Sequence, residues 1–213
     1  MHTQNWRDLF KDTKIIPVVI IDDAEHALPL VDAILEGGIN VIEITLRTEA
    51  AFEAISRVRD RYPEIRVGAG TVVTERQARQ AVDAGVHFGL APGFNPKTVD
   101  IFRQAGIPFI PGVMTASEIE RAYALGCDLL KFFPAEQAGG ARMLEALAAP
   151  YAHLDICFCP TGGISLSTMN DYLALPAVTA IGGSWIAGKE DIAANNWDVI
   201  IDNARQALRH VRS

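Results

Sequence analysis

The chain has 213 residues, 49% of them hydrophobic and 21% charged, with a formal net charge of −7 at pH 7. That balance suits a globular protein able to fill a core, and it argues against a general nucleic-acid binder, which needs a basic face for phosphates. The opening "MHTQNWRDLFKDTK" holds no apolar stretch of signal-peptide length, and runs such as "IIPVVII" are too short to span a bilayer, so a cytoplasmic protein with no membrane partner is expected.

In chain order, short β-branched apolar runs alternate with longer amphipathic stretches. The expected strands cover 15–21, 39–44, 65–70, 86–91, 107–111, 127–133, 155–160 and 178–183, with starts 20 to 28 residues apart. Each interval accommodates a strand, about three helical turns and two short loops. In "AEHALPLVDAILEGG" apolar residues return every three to four positions and the glycine pair stops the helix. "ERQARQAVDAG", "KTVDIFRQAG" and "SEIERAYALG" end the same way, and "TASEIE" offers Thr115 or Ser117 as an N-cap. Eight βα units without a break predict a parallel sheet covered by helices. The expected fold is an α/β single-domain (β/α)8 barrel over 1–213, with a short N-terminal helix. An open doubly wound sheet would show a glycine-rich fingerprint after its first strand, and "VVIIDDAEHA" has none.

In such a barrel, chemistry collects at the carboxyl ends of the strands. Glu43, Thr45 and Arg47 close the second strand, Thr71 follows the third, Pro92-Gly93 the fourth, and Lys131 lies in the sixth. The seventh runs into "TGG" (161–163) and the eighth into "GGS" (182–184). Alternate residues share a face, so Leu129, Lys131 and Phe133 go together, as do Val41, Glu43 and Thr45. The second and sixth strands contribute to the same interior layer, which lets Glu43 face Lys131 across the mouth.

A lysine at a strand end can simply snorkel to water, and a buried ion pair without catalytic purpose is a second plain reading, though its desolvation is costly. The chemical reading is that burial among Leu129, Leu130, Phe132 and Phe133 disfavours the ammonium form. A free amine adds to a ketone, loses water and forms an iminium that draws electrons from the adjacent carbons. A carboxylate opposite is placed to move protons. The glycine pairs leave backbone N–H groups uncovered by any Cβ, on the two loops where such barrels bind phosphate. His2, His26, His87, His153 and His210 form no group with zinc-ligand spacing, so no metal is expected. The odd trio Cys127, Cys157 and Cys159 reads as small core residues in a reducing compartment.

The segments "GGINVIEITLRTEAA", "VGAGTV", "APGFN", "IPGVMTASE", "LLKFFPAE", "CPTGGIS" and "IGGSW" span nearly the whole chain. Together they resemble the 2-keto-3-deoxy-6-phosphogluconate (KDPG) and 2-keto-4-hydroxyglutarate (KHG) aldolases. The resemblance implies a cofactor-free homotrimeric lyase acting on a small keto acid. It makes Lys131 the Schiff-base residue and Glu43 the general base working through a water. By the same resemblance Arg47 and Thr71 hold the substrate carboxylate, Pro92 and Phe133 shape the pyruvate pocket, and Thr161 meets the hydroxylated portion. Gly162, Gly163, Gly182, Gly183 and Ser184 would bind phosphate. Some relatives carry an arginine near the end of the first strand, where this chain reads Ile20-Ile21.

Two other functions fit the sequence. A phosphosugar isomerase or epimerase on the same barrel would explain "GAGTV" and the glycine loops but leave Lys131 a purely electrostatic role. A catalytically dead phosphometabolite-binding protein would bind ligand without turning it over.

Overall fold

The computed structural model describes residues 9–10 and 13–212. Nine strands lie among the described residues, with helices between all but β5 and β6: β1 (Ile15–Val19), β2 (Val41–Thr45), β3 (Arg66–Gly70), β4 (Phe88–Leu90), β5 (Phe109–Ile110), β6 (Gly112–Val113), β7 (Leu129–Phe132), β8 (Cys157–Phe158) and β9 (Ile181–Gly183). The helices between and after them are α1 (Ala27–Glu36), α2 (Ala51–Arg61), α3 (Glu75–Asp83), α4 (Pro96–Ala105), α5 (Ala116–Ala124), α6 (Gly140–Ala148), α7 (Met169–Leu173), α8 (Lys189–Ala193) and α9 (Trp197–Arg212). The expected N-terminal helix lies outside the described residues except for Leu9 and Phe10, which are helical and buried.

Every strand pairing is parallel, as short strands separated by helical crossovers require. One sheet runs β5-β4-β3-β2-β1-β9 and a second runs β6-β7-β8. β5 and β6 occupy the place of the single strand expected at 107–111. Pro111 separates them, because proline has no N–H to donate to a ladder. On the other side, isolated parallel bridges join Phe158 to Val178 and Thr161 to Gly182. The last two expected strands are correspondingly shorter than their apolar runs, since 178–180 contributes a bridge rather than a ladder.

The strands are apolar on both faces, which is what sheets covered by helices demand. All five residues of β2 are buried, Glu43 among them. Helix starts are set locally. Thr74 and Thr115 each form a capping box, with Gln77 and Glu118 respectively, and Asn95 caps α4 ahead of Pro96. Gly106, with φ 71°, ends α4 in the left-handed conformation. These short, well-defined turns deliver the carboxyl ends of the parallel strands to one side of the molecule.

Candidate active site

Lys131 is the third residue of β7 and Glu43 the third of β2. They are 5% and 1% exposed. The Lys131 Nζ donates to Glu43 Oε1 at 3.2 Å, across 88 positions of sequence. The second carboxylate oxygen, Oε2, is buried and has no hydrogen-bond partner among the described residues. A buried carboxylate oxygen left unbonded is costly, and it marks a place where a water or a substrate hydroxyl would be bound.

The surroundings of the pair are apolar. Leu129, Leu130 and Phe132 are buried around Lys131, and its Nζ lies 5.5 Å from the centre of the Phe133 ring. Cys159 is fully buried nearby, its thiol pushed up to about 12 by burial, against the pull of Lys131 and with that of Glu43. It therefore stays a neutral, inert thiol. Cys127 is likewise pushed up to about 12 by burial.

The remaining expected site residues fall where the parallel strands end. Gly112 is the register partner of Lys131 and has Pro92 against it so closely that a Cβ at 112 would fall on the Pro92 carbonyl. This carries half-buried Pro92 to the lysine's neighbouring strand. Thr71 follows β3 directly and is held at φ 58°, with Val72 N–H donated to Leu90 O at 3.0 Å. A β-branched residue in the left-handed region carries about 1–3 kcal/mol of strain, a feature concentrated at functional sites. Arg47 is exposed and makes no ion pair among the described residues, so its guanidinium is available to an anion.

The two glycine pairs behave differently. Gly162 (φ 105°) and Gly163 (φ 78°) need the left-handed backbone of their turn. Gly182 and Gly183 lie in β9, where space sets the requirement: a Cβ would fall on Thr161 at the first and on the Trp185 ring at the second. The Gly182 N–H is donated to Pro160 O at 2.9 Å, so Gly182 offers no free donor, contrary to expectation. By contrast, the N–H groups of Gly162, Gly163 and Ser184 go to no backbone carbonyl among the described residues. Buried Thr161 is packed on Gly182, with its hydroxyl 3.5 Å from Cys159 O.

Sequence reasoning did not single out Trp185 or Gly70. Trp185 packs over Gly183, and its carbonyl accepts from Asn203 of α9 at 3.2 Å. Its Nε1 is buried without a partner among the described residues. Gly70 lies directly beneath the Glu43 carboxylate. Among the described residues no group of three His, Cys, Asp or Glu side chains could hold a metal ion, and no helix is long and apolar enough to cross a membrane.

A family profile described as "KDPG and KHG aldolase" matches residues 7–203. A 2-dehydro-3-deoxy-phosphogluconate aldolase of Haemophilus influenzae is 44% identical over 206 residues, covering 97% of this chain and 96% of its own. One of Pseudoalteromonas atlantica is 41% identical over 210 residues, covering 97% of each chain. The crystal structure of the Legionella pneumophila KDPG aldolase, with pyruvate captured as a covalent carbinolamine, superposes with a TM-score of 0.92 at 38% identity. It covers 96% of this chain and 98% of that one. With its buried lysine against a carboxylate and these matches over nearly its full length, the chain belongs to the KDPG and KHG aldolase family.

Proposed function

We propose that this chain is a class I aldolase that cleaves 2-dehydro-3-deoxy-6-phosphogluconate to pyruvate and D-glyceraldehyde 3-phosphate, and that it also splits 4-hydroxy-2-oxoglutarate to pyruvate and glyoxylate. The observation that carries this reading is the 3.2 Å contact between buried Lys131 and Glu43. Glu43 Oε1 lies where it can take a proton leaving Nζ, and the amine so freed is the nucleophile. The amine adds to the C2 ketone. The carbinolamine loses water, with Glu43 returning the proton to the departing hydroxyl, and an iminium results.

The carboxylate then takes the C4 hydroxyl proton through a water at Oε2. The C3–C4 bond breaks, its electron pair moves into the enamine, and the aldehyde leaves. Protonation of the enamine at C3 by the Glu43 acid, followed by addition of water to the iminium, releases pyruvate and restores the lysine.

Arg47 and Thr71 bind the substrate carboxylate, Pro92 and Phe133 wall the pyruvate methyl side, and Thr161 meets the hydroxylated carbons. Gly162, Gly163 and Ser184 supply N–H groups for the phosphate, supported by their lack of a backbone carbonyl partner among the described residues, and the Ser184 hydroxyl adds a further donor. Gly182 and Gly183 keep β9 thin enough for Thr161 and Trp185 to pack.

We infer that the two parallel sheets close into a single-domain (β/α)8 barrel, a reading supported by the isolated Thr161–Gly182 bridge and by the short link through Pro111. The family resemblance supports a cytoplasmic homotrimer, which sedimentation would test. An isomerase or epimerase would leave the buried Lys131 only an electrostatic role, with no covalent adduct to the keto acid. Incubation with 2-dehydro-3-deoxy-6-phosphogluconate should yield equal amounts of pyruvate and glyceraldehyde 3-phosphate. An isomeric sugar acid as the product would reverse the assignment.

A further inference from the structure

β3 is almost bare on the face it shares with Glu43. Gly68 and Gly70 alternate there, in register with Glu43 and Thr45 of β2. Neither glycine has a left-handed backbone; both lie in a regular strand, so any residue could take their conformation. What each supplies is a missing methyl group. A Cβ at Gly68 would fall on the Phe88 ring. One at Gly70 would fall on Glu43 Oε1 and lie 2.6 Å from its Cγ and 2.7 Å from its Cδ. The Glu43 side chain thus leans off its own strand and lies across the backbone of β3, and from there Oε1 meets Lys131.

We propose that Gly70 is a positioning residue for the lyase reaction: by leaving its Cβ position to the Glu43 carboxylate, it holds that carboxylate against Lys131 Nζ. The proposal rests on Glu43 being the group that moves protons at the enamine. An added methyl drives the carboxylate away by about an ångström in a packed site, and a misplacement of that size costs about 100-fold in rate.

The test uses pyruvate alone in deuterated water, following exchange of its methyl protons through the enamine, with no aldehyde partner required. Gly70→Ala should slow exchange about 100-fold while borohydride still traps pyruvate on Lys131. In a Glu43→Ala background the same methyl should cost less than about twofold, since the group it displaces is gone. Gly70→Ala combined with Glu43→Asp, whose carboxylate is one methylene shorter, should regain about 10-fold over Gly70→Ala alone.

Exchange in Gly70→Ala within about threefold of wild type, with Glu43→Ala impaired, would overturn the positioning role and leave Glu43 its own. Wild-type exchange in Glu43→Ala would overturn both. An equal loss from Gly70→Ala in both backgrounds would also sink the proposal. If Gly70→Ala unfolds but the double variant with Glu43→Ala folds, the collision with Glu43 is seen in stability instead. Unfolding of both would assign Gly70 to the strand and overturn its positioning role.

Discussion

At the amino-terminal ends of β3 and β4 polar side chains are bound to one another and to the backbone, whereas at the carboxyl ends they keep unused bonding capacity. His87 Nδ1 accepts the Val67 N–H at 3.0 Å, and Arg59 Nη1 lies 2.9 Å from His87 Nε2. Tyr62 donates to Asp32 at 2.6 Å, and Arg66 donates to Leu9 O at 3.2 Å. Arg59 Nε is the exception, buried without a partner among the described residues. At the other end, among the described residues, Glu43 Oε2 has no hydrogen-bond partner, exposed Arg47 makes no ion pair, and the N–H groups of Gly162, Gly163 and Ser184 go to no backbone carbonyl. One end holds the strands together and the other presents groups to a ligand. The scaffold separates stability from chemistry by strand direction.

Substitutions should divide along the same line. Lys131→Ala should lower kcat by about 10⁴-fold or more, because it removes the amine that forms the iminium; a steady-state assay of pyruvate release reads it directly. Glu43→Gln should cost about 10²–10³-fold, and borohydride should still trap pyruvate, since the amine survives and only proton movement suffers. Replacing Ser184 by alanine, which removes the hydroxyl and keeps the N–H, should raise KM for the phosphorylated substrate about 10- to 100-fold, the value of one hydrogen bond to a charged group, with little change in kcat. Equal effects on the phosphorylated and unphosphorylated keto acids would move the phosphate site elsewhere.

The mildest kinetic effect is expected at the opposite end. His87→Ala should leave kcat/KM within about twofold while costing about 1–3 kcal/mol of stability, because the buried Val67 N–H loses its acceptor. His87 is held below its ordinary value of 6.5 by burial and by the neighbouring Arg59 charge. Its folded form therefore prefers the neutral ring. The resulting stability is fully present above pH 6.5 and is lost as pH falls from there through the lower folded value. Urea midpoints at pH 7.5 and below pH 6 should differ more for the wild type than for His87→Ala. A catalytic defect in His87→Ala would erase the distinction between the two ends.

Much of this arrangement is legible in the sequence. Apolar runs at regular spacing locate the strands, and period-two parity, with the even numbering of the second and sixth strands in the expected barrel, places Glu43 opposite Lys131. Other features depend on three-dimensional crowding, which local patterns do not encode. The run 107–111 reads as one strand, but Pro111 divides the pairing between β5 and β6. Gly182 reads as a phosphate donor, yet its N–H is bonded to Pro160 and its bare Cα makes room for Thr161. "VGAG" reads as the end of a strand running into Thr71, and only the lean of Glu43 across β3 shows what Gly70 leaves room for. Glycines are ambiguous in sequence because a missing side chain can serve a turn, a ligand or a neighbour.

The central claim is that the buried Lys131 amine forms the covalent bond to the keto acid. Reduction of the pyruvate complex with borohydride, followed by peptide mapping by mass spectrometry, tests it most directly. The account predicts a single adduct, on Lys131, absent from Lys131→Ala. No adduct on the folded protein, or one on another lysine, would contradict it.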